Sequence, residues 1–365
     1  KSAVGLDMGG TSTDICRVDG TDLPRREEDL RVAGVRLGGR MLEVETIAAG
    51  VGSILGTDGL RLFVGPESAG ADPGPQCYGR GGPPTLTDAA LVAGLIDGSR
   101  FDPPLDADAV ELPGPAEAYL DLARESMAQA VRRVAAARGI DLRDHALVAY
   151  GGAAGQHAAD VAGRLGISTV LIHPCASVLS AFGQSLARRE ERASRAIWGR
   201  LPDAWGECVG VFATLREELP NLGSLSYSAE LRYLGTDHAI ELPVAPSPEG
   251  LAAALRAFKA QHTQRYGFER PGHEVEVVNI ILRSTAPALE APKPRDECWQ
   301  IGDSSLKLGQ REEGPVLLTS PTTSVWVPKG WSAFTKEGLL VLKPAREAEV
   351  PIPTERTPYA VELWG

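Results

Sequence analysis

Apolar and polar residues alternate over residues 3–18, and this period of two predicts a pair of β-strands. The segment that follows, residues 32–82, is rich in glycine and polar residues and favours loops and short strands. Residues 115–138 instead carry apolar side chains at helical spacing, among them Leu122, Met127 and Val134. This stretch ends at Gly139, so we predict an amphipathic helix with that glycine as its C-cap.

Strand-like and helix-like patterns then alternate along the rest of the chain. The predicted elements are strands at residues 146–150 and 169–172, helices near 156–165 and 178–189, alternation over 225–244, a helix over 251–266, a strand over 275–282, a Pro-rich linker at 286–295 and a small β unit centred on 314–342. Alternating strands and helices are typical of an α/β sheet layered by helices.

Composition narrows the class of protein. A chain of 365 residues, 43% of them apolar, is long enough for two or three domains. The formal net charge of -11 argues against nucleic acid or an anionic membrane as a partner, because both require a basic face. No long apolar run or signal-peptide-like start is present, so we expect a cytoplasmic protein. The 5 cysteines form no CxxC pair, which favours reduced thiols over disulfides or zinc.

The most informative motif is Asp7-Met-Gly-Gly-Thr-Ser-Thr-Asp14, at the end of the first predicted strand. Its glycines lack a Cβ, so backbone N–H groups can approach an anion closely, and its hydroxyl groups add further donors. A carboxylate at the strand end could orient water bound to Mg²⁺. We favour phosphate binding over an ordinary hairpin with a Gly-Gly turn. The residues predicted to bind phosphate are Gly9, Gly10, Thr11 and Thr13.

A second motif, Tyr150-Gly-Gly-Ala-Ala-Gly-Gln-His157, also runs from a strand through glycines into a helix. Glycines there let the backbone pass close to a flat ring or a phosphate, and a helix N-terminus carries positive potential. The motif departs from G-x-G-x-x-G, which weakens a dinucleotide interpretation, and tight strand-to-helix packing explains it equally well. Two such strand exits are better explained as two walls of one nucleotide cleft than as two cofactor sites.

The loop at residues 65–82 holds several further polar candidates. Arg80 could meet a substrate carboxylate bidentately, and Glu67 is a second candidate contact, although solvated loop charges are the more frequent case. For Asp88 we favour a helix N-cap or first-turn role, and for Cys77 a buried or loop thiol rather than a nucleophile. The 6 histidines show no metal-ligand spacing.

Several long motifs of this chain resemble those of the hydantoinase A/5-oxoprolinase family. They are, in order, Asp7-Met-Gly-Gly-Thr-Ser-Thr-Asp14, Val64-Gly-Pro-Glu-Ser-Ala-Gly-Ala-Asp-Pro-Gly-Pro75, Cys77-Tyr78-Gly79, Leu86-Thr87-Asp88-Ala89, Gly151-Gly-Ala-Ala-Gly-Gln-His157, Leu231-Arg232-Tyr233-Leu234-Gly235-Thr236-Asp237 and Gly314-Pro315-Val316. The resemblance covers nearly the whole chain. It implies an actin-like ATPase (ribonuclease H-like) lobe with an inserted subdomain and a small C-terminal β domain.

The resemblance also implies roles for individual residues, with ATP and Mg²⁺ as cofactors. The first motif is similar to a second phosphate loop and the Gly151 motif to an adenosine loop. The implied residues are Asp7 and Asp14 for catalysis, Asp7 for the metal, and Gly9, Gly10, Thr11, Thr13, Gly151, Gly152, Gly155 and Gln156 for the nucleotide. Arg80 and Glu67 are candidate substrate contacts because of their place in the loop at residues 65–82.

For the intact enzyme, the resemblance implies ATP-dependent opening of 5-oxo-L-proline to L-glutamate through a phosphorylated lactam. A related hydantoinase or ketone (acetone-type) carboxylase activity is the alternative, and a nucleotide-responsive scaffold is the non-enzyme alternative. The expected partners are a cyclic amide substrate, an N-terminal lobe and a B-type half, in an oligomer. Because one lobe supplies only part of the phosphate clamp, we expect this chain alone to be inactive.

The expected domain boundaries follow from the same likeness. Residues 1–285 are predicted to form the second actin-like lobe, with an insertion at about 25–140. Residues 286–350 are predicted to form a linker and a small β domain, and residues 351–365 a tail leading towards a B-type half. The chain begins almost directly in a strand without a methionine, so we expect it to be a piece of a longer polypeptide.

Overall fold

The computed structural model describes residues 2–19, 44–136, 139–292, 299–307 and 309–345, together with the backbone of short strands between residues 25 and 42. The chain divides into two compact units. The first unit comprises Lys1–Phe182 and Pro292–Gly365, and the second comprises Gly183–Ala291. No helix within the described ranges combines the length and the apolar character needed to cross a membrane.

The elements follow one another in a mixed α/β order. The strands are β1 (Ser2–Met8), β2 (Thr13–Asp19), β3 (Arg25–Arg26), β4 (Leu30–Val32), β5 (Val35–Leu37), β6 (Met41–Leu42), β7 (Val44–Ile47), β8 (Ser53–Thr57), β9 (Leu62–Ser68), β10 (His145–Tyr150), β11 (Val170–Ile172), β12 (Glu190–Arg200), β13 (Ser224–Tyr233), β14 (Ile240–Pro243), β15 (Val275–Thr285), β16 (Gln300–Ile301), β17 (Ser304–Ser305), β18 (Arg311–Glu313), β19 (Val316–Thr319), β20 (Ser324–Val327), β21 (Trp331–Lys336) and β22 (Leu339–Pro344). The α-helices are α1 (Leu86–Val92), α2 (Ala116–Ala136), α3 (Ala154–Leu165), α4 (Leu179–Ser185), α5 (Trp205–Glu218) and α6 (Gly250–Tyr266).

The first unit is built on an eight-stranded sheet in the order β18-β21-β22-β11-β10-β1-β2-β7. Its centre is β1, which pairs in parallel with β10 and antiparallel with β2. Strand β11 also runs parallel to β10. Because β1 and β10 are parallel neighbours, their carboxyl ends lie at the same edge of the sheet. In open α/β sheets, ligands bind at this edge.

The burial of β1 explains why the sequence forms a central strand there. Val4, Leu6 and Met8 are all at most 1% exposed, and these alternate positions place one face of the strand in the buried core. Helices α2 and α3 supply the apolar cover, with Tyr119 and Met127 fully buried in the same core. The predicted amphipathic helix is thereby confirmed as α2, although its last two predicted positions lie outside the described residues.

A buried cation ties α2 to α3. The side chain of Arg124 is 6% exposed and lies within ion-pair distance of Glu117, Asp121 and Asp160. Three carboxylates from two helices therefore compensate one buried guanidinium, as a buried charge requires.

The segment between β7 and α2 carries the β8–β9 hairpin and the short helix α1. Its polar anchor is Asp88, a fully buried first-turn residue of α1. The carboxylate accepts hydrogen bonds from the backbone N–H groups of Thr85 at 2.7 Å and Cys77 at 2.8 Å. These contacts confirm a capping role for Asp88 and a buried position for Cys77, and burial raises the pKa of that thiol.

The C-terminal strands do not form a domain of their own, which corrects the predicted boundary at residue 286. Strand β22 pairs antiparallel with β11, so β21 and β22 extend the main sheet. The small sheet β17-β16-β19-β20 belongs to the same core, where Val325 of β20 packs next to α3. The predicted tail at residues 351–365 lies outside the described residues, as do most of the residues predicted to begin the insertion.

The second unit separates from the predicted lobe of residues 1–285. It consists of an antiparallel sheet in the order β12-β15-β13-β14 with helices α5 and α6. Strand β12 and helix α5 were not predicted, and the helix expected over residues 178–189 ends at Ser185. Helix α6 and strand β15 match their predictions.

Candidate functional site

The two glycine motifs lie side by side at the carboxyl ends of β1 and β10. Asp7 is opposite Tyr150 in the parallel register, so the loops that follow the two strands begin next to each other. Gly151 has a φ of +82°, and a Cβ at this position would lie 2.4 Å from Oδ1 of Asp7. Glycine is therefore required at residue 151 by both its backbone conformation and the Asp7 carboxylate.

The turn after β1 is held from the segment that follows β7. The Val51 and Gly52 N–H groups donate to the carbonyls of Gly9 and Gly10, at 3.1 Å and 2.7 Å. The hydroxyl of Thr13 is fully buried and donates to the carbonyl of Ala49 at 2.5 Å. Thr13 thus fixes the hairpin from within, and its predicted contact with phosphate stays a prediction.

Two carboxylates face each other across this hairpin. Asp7 and Asp14 are register partners on β1 and β2, and both are half-buried. Oδ2 of Asp7 accepts from the Ser180 hydroxyl at 3.3 Å, and Oδ1 of Asp14 accepts from the Thr46 hydroxyl at 2.5 Å. Burial raises the pKa of Asp7 and the negative charge of Asp14 raises it further, while the Ser180 hydrogen bond opposes both. A cation would relieve this repulsion.

A cavity of about 230 Å³ opens between the two glycine loops. Its lining residues include Gly9 and Gly10 from the first loop, Gly152, Ala153 and Gln156 from the second, and Tyr78 and Phe101 from the segment that precedes α2. Four of the residues predicted to bind nucleotide therefore line one space. Helix α3 begins at this cavity, which adds the positive potential of a helix N-terminus.

The remaining predicted residues do not line this cavity. Thr11 is exposed on the hairpin turn, and Glu67 is exposed on β9. Gly155 is buried against β20, where a Cβ would lie 2.7 Å from the carbonyl oxygen of Ser324. His157 is 1% exposed inside α3, and burial, assisted by Arg124, lowers its pKa to about 3.

A second cavity of about 170 Å³ shares Tyr78 and Phe101 with the first, and Arg80 lies in its wall. The Arg80 guanidinium lies 5.8 Å from the centroid of the Tyr78 ring and donates to the carbonyl of Ala71 at 3.5 Å. No carboxylate of the described residues pairs with it. Arg80 is thus an exposed cation close to the glycine loops, whereas Glu67 is in neither wall.

Three contributors to this site were not predicted, namely Ser180, Tyr78 and Phe101. Tyr78 lies within a motif that the family likeness singled out, so that motif was the available signal. Ser180 contacts Asp7 from 173 positions along the chain, and no local pattern announces such a contact.

The side chains available as ligands determine which metal ion this site could hold. Within the described ranges, no group of three or more His, Cys, Asp or Glu side chains could hold a metal ion. Mg²⁺ needs fewer protein ligands, because it is usually bound by one or two carboxylates together with water and substrate phosphates. Asp7 and Asp14 fit that requirement, and zinc by cysteine or histidine is not supported by these residues.

The chain is similar to several known proteins. Residues 1–193 match the family model described as Hydantoinase/oxoprolinase. The chain is 33% identical to the caprolactamase subunit alpha of Pseudomonas jessenii, covering 90% of this chain and 56% of that protein. It is 35% identical to the 5-oxoprolinase PfmaA of Pestalotiopsis fici, covering 78% of this chain and 25% of that protein.

Two solved structures have the same mixed α/β fold. The crystal structure of the ATP-dependent caprolactamase of Pseudomonas jessenii has a TM-score of 0.66 at 29% identity, covering 95% of this chain and 59% of that one. The nucleotide-free structure of an ATP-dependent acetone carboxylase has a TM-score of 0.80 at 19% identity, with 94% and 58% covered, and shows the fold alone. This chain therefore spans about a quarter to three-fifths of these relatives, and it belongs to the hydantoinase/oxoprolinase family.

Proposed function

We propose that this chain is the nucleotide-binding part of an ATP-dependent cyclic amide hydrolase that converts 5-oxo-L-proline to L-glutamate. The supporting observation is the meeting of two glycine loops and a carboxylate pair at one edge of the sheet. Five strands of the sheet have the order β7-β2-β1-β10-β11. Strand β2 is antiparallel to β1, whereas β10 is parallel to β1 and β11 is parallel to β10. This arrangement supports an actin-like lobe. The ATP dependence of the related caprolactamase supports the choice of nucleotide.

The residues of the site have different proposed roles, which follow from the chemistry of each side chain or backbone group. Gly9 and Gly10 present a close backbone surface for phosphate, and Gly152 continues that surface from the second loop. Asp7 and Asp14 would hold Mg²⁺, which when bound neutralises charge on the transferring phosphoryl group. Ser180 keeps the Asp7 carboxylate in position through its hydrogen bond.

Hydrolysis of a stable lactam requires activation of its carbonyl group. Transfer of the γ-phosphoryl group from ATP to the amide oxygen releases ADP and makes the amide carbon electrophilic. A water molecule then adds to that carbon, the ring C–N bond breaks with protonation of the nitrogen, and an acyl phosphate remains. A second water molecule releases phosphate and leaves L-glutamate.

Arg80 is the proposed partner of the substrate carboxylate. Its guanidinium is exposed, has no acidic partner among the described residues and lies beside the glycine-loop cavity. A planar guanidinium can bind a carboxylate through two parallel hydrogen bonds. Glu67 remains a predicted substrate contact, although it lines neither cavity. The relative named subunit alpha supports a partner subunit or half for the complete enzyme.

The test is ATP hydrolysis by the full-length protein with its partner half, following phosphate and L-glutamate together. With 5-oxo-L-proline, we expect equal amounts of phosphate and L-glutamate, and little phosphate released without L-glutamate. Caprolactam is the matched control substrate, because it is a lactam without a carboxylate. It should be turned over at least about tenfold less well, because it cannot form the proposed charged pair with Arg80. Phosphate without glutamate would redirect the search to hydantoins or ketones, and the absence of both would favour a scaffold.

A further inference from the structure

Two side chains of opposite charge line the second cavity without pairing with each other. Arg80 and Asp102 both lie in the wall of this space of about 170 Å³, and both residues are exposed. Among the described residues, Asp102 has no hydrogen-bond or ion-pair partner, and Arg80 uses only one N–H group, towards the carbonyl of Ala71. The Asp102 carboxylate and the other N–H donors of Arg80 can therefore turn towards a ligand in the cavity.

The rest of this cavity wall is largely apolar, and the space is small. The rings of Tyr78 and Phe101 border it together with Pro103 and Pro104. A cavity of about 150 Å³ holds a benzene ring, so about 170 Å³ suits one small ring. The cavity thus fits a single ring that carries polar substituents, with its methylene groups against the apolar wall.

The second cavity adjoins the proposed phosphate surface. Tyr78 and Phe101 line both cavities, and Gly9 and Gly10 lie in the wall of the first one. A lactam in the second cavity can therefore turn its carbonyl oxygen towards a phosphoryl group held at the glycine loops. The proposed reaction requires this orientation, because the amide oxygen receives the phosphoryl group.

We infer that the second cavity binds the lactam, and that Arg80 and Asp102 together select a ring whose nitrogen and carboxylate are attached to the same carbon atom. Arg80 binds the carboxylate, and the Asp102 carboxylate accepts a hydrogen bond from the ring N–H group. This inference rests on the proposed function, because it supposes that the substrate is a lactam. It adds Asp102 as a second substrate-binding residue, and it names the substrate class as lactams of α-amino acids.

The same two side chains suit the product of the reaction. When the ring C–N bond breaks, the nitrogen becomes the α-ammonium group of L-glutamate and stays on the carbon atom that bears the carboxylate. Arg80 then holds the α-carboxylate and Asp102 the α-ammonium group, so that both contacts join opposite charges. Caprolactam, hydantoin and acetone lack the carboxylate, and this cavity therefore disfavours them.

The experiment uses the full-length protein with its partner half and measures binding by calorimetry. It compares 5-oxo-L-proline with the γ-lactone of the same size and configuration, in which an oxygen atom replaces the ring N–H group. We expect the wild-type protein to prefer the lactam about tenfold, the value of one well-made hydrogen bond. Asp102→Ala should abolish this preference, and Asp102→Asn, which retains a carbonyl oxygen as acceptor, should keep part of it.

Two further variants show which contact each charge makes. Arg80→Met should weaken lactam and lactone alike, because both carry the carboxylate. The matched control is Asp108→Ala, at an exposed position outside both cavities, which should leave both affinities unchanged. A second ligand pair tests the product: Asp102→Ala should weaken the binding of L-glutamate but not that of glutarate, which lacks the amino group.

The outcomes separate this inference from the proposed function. Equal loss of affinity for lactam and lactone in Asp102→Ala would make Asp102 merely structural and overturn the assignment, and so would an unchanged preference. Wild-type protein that binds neither ligand, or both equally, would overturn it too, even where ATP hydrolysis yields L-glutamate. Binding of the lactam with the expected preference, but without any hydrolysis of ATP, would instead refute the proposed function and leave the assignment of this cavity in place.

Discussion

The buried charges of the second unit's sheet differ from the carboxylates at the carboxyl edge of the first unit's sheet in whether an opposite charge lies beside them. In the second unit, Arg283 of β15 makes two hydrogen bonds to Glu241, at 2.7 Å and 3.0 Å, with side chains only 13% and 7% exposed. Arg232 and Glu276 form a similar pair at 2.7 Å. Each of these half-buried or buried charges has an opposite charge beside it, as stable folding demands.

The carboxyl edge of the first unit lacks such compensation. Asp7 lies opposite Asp14, a group of like charge, and Gln156 Oε1 has no partner among the described residues. Gly151 allows the Asp7 carboxylate to approach a second backbone segment. Unfavourable arrangements of this kind are common where a ligand supplies the missing interactions, so they are what the proposed nucleotide site predicts at this edge.

The largest predicted effect comes from removing the charge of Asp7, and this change tests the contrast between the two units directly. We expect Asp7→Asn in the full-length enzyme to lower ATP hydrolysis by about 10³-fold, the usual range for loss of one preorganised electrostatic contact. The same change should raise the free energy of unfolding by about 0.5–2 kcal/mol, because it removes the repulsion with Asp14 and the cost of burying a charge. Steady-state kinetics and urea unfolding of the same preparation measure the two effects.

The matched control for this change is Asp108→Asn, which removes the same charge from an exposed turn outside both cavities. It should leave both hydrolysis and stability nearly as they are. Near-normal turnover in Asp7→Asn would remove Asp7 from the mechanism. A loss of stability in Asp7→Asn would show that the carboxylate is structural, and the contrast between the two units would then fail.

In the second unit, the opposite result is expected from breaking a charge pair. Arg283→Met should lower the free energy of unfolding by about 3–5 kcal/mol, because the buried Glu241 carboxylate loses both of its hydrogen bonds to the Arg283 guanidinium. The control is Arg195→Met, since Arg195 and Glu218 form a pair in which both side chains are 51% exposed and which contributes only about 0–1 kcal/mol. Equal effects in the two variants would contradict the assignment of Arg283 to a buried, structural pair.

The sequence predicted the elements whose signals are local. The apolar spacing of α2, the alternation of β1 and β2, and the glycine-rich exits of β1 and β10 are all encoded within a few residues. Helix α5 was not predicted because apolar residues surround it and obscure its period, with Trp205, Cys208 and Phe212 buried but Val209 and Val211 also packed against the core.

The domain boundaries and several contacts of the site could not be predicted from the sequence, because they are formed by residues far apart along the chain. Strand β22 pairs with β11 although Val341 follows its register partner Leu171 by 170 positions (341 − 171), and only the folded sheet reveals the pairing. The Ser180–Asp7 hydrogen bond and the joining of Tyr78 to the glycine loops have the same origin. Local pattern thus identified the loops, while the cavity between them required the tertiary structure.

The last prediction concerns the pH dependence of the stability of the first unit. Burial lowers the pKa of His157 from 6.5 to about 3, so this side chain stays neutral in the folded protein while it gains a proton in the unfolded chain below pH 6.5. The unfolded state then binds more protons, and the free energy of unfolding should fall by up to about 1.4 kcal/mol per pH unit as the pH drops from 6.5 towards 3.

Replacing the imidazole isolates its share of this acid sensitivity. His157→Leu should reduce the slope of unfolding free energy against pH below 6.5, whatever its effect on stability at neutral pH, because the substituted side chain binds no proton in either state. Urea unfolding at a series of pH values measures the slope in both proteins. An unchanged slope would mean that His157 gains its proton in the folded protein too, beside the Arg124 guanidinium, and that the core around α3 admits water at low pH.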